Sequence, residues 1–136
     1  MGQISGFLKH LGLSHQSMTD AVIKAHYQGA FGLTKVLFHV HDEGLRIAIN
    51  PVLERPTELG WSQSVNKLVL ALNHQSPNIR IGLDRDGDLY VKVDLPKQDL
   101  SFEQFTYILL NICQVSDQLT VPVLQAQAYD RNTLVA

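Results

Sequence analysis

The stretch from Asn78 to Leu95 constrains the fold more than any other part of this chain. Ile79, Ile81 and Leu83 alternate with Arg80, Gly82 and Asp84, and then Leu89, Val91, Val93 and Leu95 alternate with Tyr90, Lys92 and Asp94. Strict period two places the apolar side chains on one face of a strand and the polar ones on the other, the pattern of an antiparallel sheet with one dry and one wet side. Asp86-Gly87 between the two runs is a strong hairpin signal, and Pro96 stops the second strand. Two earlier runs behave alike: Val36 to His41 and Leu45 to Ile49, joined at Asp42-Glu43-Gly44.

Helical spacing fills most of the remainder. Ile4, Phe7, Leu8 and Leu11 recur at i, i+3, i+4, i+7, with Gly12 as the expected terminator. A second helix is predicted from Ser17, with Asp20 completing a capping box and Met18, Ala21, Val22 and Ala25 as its apolar stripe. A third carries Val65, Leu68, Val69 and Leu72, with Ser62 and Ser64 as cap candidates and its end at Asn73 or His74. A fourth starts at the Ser101/Gln104 capping box and runs to about residue 117. Val121, Val123 and Leu124 predict a last short helix with Pro122 in its first turn, and residues 130–136 read as a tail. Asn50-Pro51 is expected to break its strand, leaving 51–56 extended or irregular, though able to pair at a sheet edge. The expectation is one α+β domain over 1–136: an amphipathic helix at 1–12, a core at 17–119, and an antiparallel sheet of about five strands with helices on one face.

Composition excludes several function classes. A formal charge of −2, with 11 Lys and Arg scattered along 136 residues and no two adjacent, argues against nucleic acid. The sequence holds no apolar run long enough for a membrane span and no secretory leader pattern, and Cys113 stands alone. A cytoplasmic protein without cofactor is expected.

Candidate chemistry is sparse. His39 and His41 share one strand face at a spacing that could chelate a metal, with Asp42 and Glu43 nearby, so a small metal-dependent enzyme is one alternative. The opposing reading is two histidines on a wet face. Asp84, Asp86 and Asp88 surround Gly87 but lack the twelfth-position Glu of a calcium loop, and turn chemistry accounts for them. Cys113 falls on an apolar helix stripe, where cysteine packs as a small hydrophobe. Partner-binding candidates are the sheet face or its edge, the apolar face Ile4, Phe7, Leu8 and Leu11, set against packing within the chain, and Trp61, set against closing one end of the core. A ligand pocket between sheet and helices is a further alternative.

Residues Asn50 to Pro56, the helix Lys67 to Asn73, the hairpin Arg80 to Pro96 and the helix start Leu100-Ser101-Phe102-Glu103-Gln104-Phe105 resemble the YbjN-like family over about residues 34–119. The resemblance implies a type III secretion chaperone-like fold and a bacterial, cyanobacterial source. It also implies a non-enzymatic, often dimeric, protein-binding or regulatory module, with no catalytic residues to carry over.

Overall fold

In the computed structural model, which describes residues 2–75, 78–96 and 98–135 with side chains through Asp130, the alternating runs become neighbours in one antiparallel sheet. Its strands are β1 (His15–Ser17), β2 (Val22–Gly29), β3 (Gly32–His41), β4 (Gly44–Leu53), β5 (Arg80–Leu83) and β6 (Leu89–Pro96). They hydrogen-bond in the order β1-β2-β3-β4-β6-β5, so β1 and β5 form the edges. Helices α1 (Gly2–His10), α2 (Gln63–Gln75) and α3 (Phe102–Val135) pack onto the dry side.

Alternation decides which face is dry. Ile23, Ala25, Val36, Phe38, Ile47, Ile49, Leu89, Val91 and Val93 point inward and are buried. The helices answer with Leu8, Val65, Phe105, Leu109, Ile112 and Val123, likewise buried. Phe105 lies 5.0 Å from Phe7 and 5.6 Å from Phe38, centroid to centroid, and so joins α1, α3 and β3. Each fully buried large side chain contributes about 1.5–3 kcal/mol relative to exposure.

Local signals act as their chemistry requires. Gly12 (φ +74°) ends α1 in a Schellman motif: the Leu13 N–H donates to the Leu8 carbonyl and the Gly12 N–H to that of Lys9, both at 3.0 Å. Ser101 and Gln104 form the reciprocal capping box of α3, at 2.9 and 3.1 Å. The β5–β6 turn is a three-residue loop, with the Gly87 N–H on the Asp84 carbonyl and Gly87 at φ +83°.

Three expectations are overturned. The predicted second helix is strand: Val22 to Tyr27 also reads as period two, and Ile23 and Ala25 are buried while Met18 is half exposed. Pairing of Ile23 with Phe38 and Ala25 with Val36 across β2 and β3 outweighs the weak helical stripe. With β1 at its edge the sheet has six strands, slightly more than the five or so expected. Asn50-Pro51 does not end β4, which continues through a register shift between Ile49 and Leu53 until Leu53 pairs with Leu89. Finally, α3 is one helix of 34 residues with Pro122 inside it, and residues 130–135 extend it rather than forming a tail; Ala136 lies outside the described residues.

Tertiary anchoring explains that long helix. Pro122 has no N–H for the Gln118 carbonyl and disfavours helix locally. Leu119 and Val123 on either side of it are buried, at 2% and 0% exposure. Farther along, Gln127 Oε1 accepts the Ser62 N–H at 2.8 Å, and Asp130 accepts the Ser64 N–H at 3.0 Å and the Ser64 hydroxyl at 2.7 Å. The free N–H groups of α2 are thus capped from α3, with Ser62 Oγ taking the Val65 N–H at 3.3 Å.

Candidate functional site

The outer face of α3 is where this chain leaves apolar surface uncovered. Tyr107 and Leu110 are 73% and 64% exposed, and Val121 and Leu124 are exposed two heptads farther on. Tyr107, Leu110, Gln114, Asp117, Val121 and Leu124 follow one another at steps of three and four residues, so they share a face. Exposed Phe31 and Leu33, at the β2–β3 turn, lie beside the same helix, where Asp117 Oδ1 accepts the Ala30 N–H at 3.3 Å.

Beside Leu110 this face opens into a cleft of about 530 Å³ between the α1–β1 connection, β2 and α3. Leu11, Leu13, Leu109 and Leu110 give it an apolar lining, and Gln28, Gln114, Asp117 and Gln118 place polar groups among them. The Tyr27 hydroxyl donates to the Cys113 carbonyl at 3.1 Å across the wall. Thr106 Oγ1, also at the cleft, is buried without a hydrogen-bond partner. Burial is the main cause that raises the Tyr27 phenol above the ordinary range and pushes the Cys113 thiol up to about 12. Burial thus favours the protonated form of both groups at neutral pH.

The candidates read from sequence are placed as follows. Ile4 and Leu8 are buried in the chain's own core, and Phe7 and Leu11 pack partly buried against it. That apolar face is spent internally, apart from Leu11 at the cleft wall. Trp61 is partly buried against the core and its Nε1–H donates to the Gly87 carbonyl at 2.8 Å, tying the β5–β6 turn to the entry of α2.

His39 and His41 do stand side by side, with ring centroids 5.5 Å apart, but no third ligand joins them among the described residues. The ligand atoms of Asp84, Asp86 and Asp88 lie within 4.8 Å of one another. Two of the carboxylates hold backbone: Asp84 Oδ1 accepts the N–H groups of Asp86 and Asp88 within the turn, and Asp88 Oδ1 accepts that of Arg55 beyond β4. The Asp88 N–H is the main reason the Asp84 carboxyl is held below its ordinary value.

The exposed seam of α3 is masked in the sequence by the stronger inward stripe of Phe102, Phe105, Leu109 and Ile112. Tyr107, Leu110, Val121 and Leu124 carry a second stripe at the same spacing.

The sequence matches the family described as "YbjN: Putative bacterial sensory transduction regulator" over residues 2–120, a span that takes in α1 as well as the region from residue 34. No curated protein matches it. Among solved structures, a chain of the heterodimeric ExoU-SpcU complex from the type III secretion system of Pseudomonas aeruginosa is similar, with TM-score 0.63 and 17% identity over 88% of this chain and 97% of that one. YbjN from E. coli is similar with TM-score 0.59 and 20% identity, over 95% of this chain and 92% of that one. At these identities the likeness is one of fold, and it identifies the layer of helices on a sheet as type III secretion chaperone-like. No helix of the described residues is long and apolar enough to cross a membrane.

Proposed function

The chain belongs to the YbjN family, and we propose that it acts as a non-enzymatic protein-binding or regulatory module that holds a segment of another protein on the outer face of α3. The observation that carries this reading is the continuity of exposed Tyr107 and Leu110 with the apolar cleft behind them. Apolar surface of this kind marks interaction sites. A partner segment would place an apolar side chain between Leu13 and Leu110 and cover Tyr107. The heterodimeric assembly of the structurally similar ExoU-SpcU chain agrees with such a role.

The test is co-purification from the native host with tagged wild type and Leu110→Glu. A protein that accompanies wild type and is lost with the variant supports the proposal, and its retention contradicts it. Because Leu110 is exposed, the variant keeps its thermal midpoint. Self-association through the same seam would instead appear as a doubled mass in light scattering, reduced by the same substitution.

A small-ligand reading is favoured by one separate observation, the unpartnered Thr106 Oγ1 beside a cleft whose volume lies within the range of ligand sites. A compound that raises the melting temperature of wild type, but not of Thr106→Val, would support it.

A further inference from the structure

The sheet turns cations that are scattered in sequence into one surface. The residues that alternate with core positions on the strands include Lys24, Lys35, Arg46, Arg80 and Lys92, with Asp94 as the one carboxylate among the described strand residues of that face. Five cations less one carboxylate leave +4 there, and a whole-chain charge of −2 then puts −6 on the rest of the molecule. Lys24 stands opposite Leu37, Leu37 opposite Ala48, Ala48 opposite Lys92 and Lys92 opposite Arg80, a single row across five strands.

Asp94 shows what this surface holds. Its carboxylate accepts from Arg46 Nε at 2.7 Å and from the Arg80 guanidinium. Among the described residues those are the ion pairs, so Lys24, Lys35 and Lys92 have no carboxylate partner. The Lys92 ammonium lies 5.0 Å from the centre of the Tyr90 ring. Partial burial, with Arg46 and Arg80 close by, lowers Lys92 from the ordinary lysine range.

We infer that this outer face of the sheet is a docking surface for an acidic, carboxylate-rich segment of another polypeptide. Lys24 and Lys92 are three strand spacings apart, roughly 14 Å, which an extended segment of about five residues spans. Leu37 and Ala48 between them give that segment an apolar seat. Nucleic acid fits the surface less well. Asp20, Asp42 and Glu43 in turns at one end of the strands, and Asp84, Asp86 and Asp88 at the other, would repel a long polyanion. Tyr90 is the one Phe, Tyr or Trp on that face of the described strands, and the Lys92 ammonium lies over its ring. The face is opposite the helical layer and is independent of the α3 seam.

Fluorescence anisotropy with a labelled peptide of alternating Glu and Ala, and with a single-stranded oligonucleotide of equal charge, tests the inference in the intact chain. The peptide should bind wild type and weaken as salt rises. The double variant Lys24→Gln/Lys35→Gln, which breaks no internal ion pair, should bind it roughly three- to tenfold more weakly at an unchanged melting temperature. Lys92→Gln provides a second variant with the same expected direction. Absence of peptide binding at low salt, equal binding by the variants, or tighter binding of the oligonucleotide would each overturn the assignment. Those results leave the α3 proposal standing, since that rests on loss of a partner with Leu110→Glu.

Discussion

Asn73 and Ile81 are joined by a two-way hydrogen-bond pair: Asn73 Nδ2 donates to the Ile81 carbonyl at 2.6 Å, and the Ile81 N–H donates to Asn73 Oδ1 at 2.7 Å. β5 is an edge strand, and Ile81 would otherwise present an unpaired donor and acceptor for another strand to pair with. One side-chain amide from the last turns of α2 closes that point of the edge. Leaving both backbone groups without it, in Asn73→Ala, should cost about 2–3 kcal/mol, read from the urea midpoint at constant slope. A loss under about 0.5 kcal/mol would mean that water replaces the amide without penalty.

Gly44 is required by closeness. A Cβ there would stand 1.9 Å from the Leu95 carbonyl oxygen, where Gly44 and Leu45 pair with Pro96 and Leu95. Gly44→Ala must therefore displace β4 from β6, and a destabilisation of about 3 kcal/mol or more is expected in the same urea assay. Gly6, on α1 with nothing near its would-be Cβ, is the contrast: Gly6→Ala should stabilise by about 0.5–1 kcal/mol.

Pro122 is exposed within α3, and burial of Leu119 and Val123 carries the helix past it. Pro122→Ala restores the missing donor and removes the clash, partly offset by the freer unfolded chain, for a net gain of about 1–2 kcal/mol. A loss of stability in thermal unfolding would show that the proline shapes the packing of α3 on the sheet.

How much was legible from the residues follows the range of the interactions. The hairpin at 79–95, the Ser101/Gln104 box and the Gly12 stop depend on neighbours a few positions away, and all appear as read. Val22 to Tyr27 failed because helix and strand periods overlap over so short a run, and only pairing with β3 decides between them. The α2 caps from Gln127 and Asp130, and the Asn73 clamp, join residues that sequence does not place together. The cationic face was hidden for the same reason: Lys24, Lys35, Arg46, Arg80 and Lys92 are far apart in the chain and meet only through strand register.

The Asp130 carboxyl is held below the ordinary carboxylate range, first by the Ser64 hydroxyl and then by the Ser64 N–H. A lowered folded value means the unfolded chain binds more protons in acid, so this contribution is complete above the unfolded carboxylate range and fades as pH falls through the folded value. The melting temperature of wild type should therefore fall more steeply than that of Asp130→Asn as pH is lowered from about 5. Parallel curves would remove Asp130 as the cap of α2.

Site-specific photo-crosslinking in the native host tests the central claim most directly. A photoreactive amino acid replaces exposed Leu110 on α3 in one variant and exposed Leu70 on α2 in a second. A discrete protein adduct formed from position 110 and absent from position 70 is the predicted result. No adduct at 110, or the same adduct at both positions, would contradict the α3 face as a protein-binding surface.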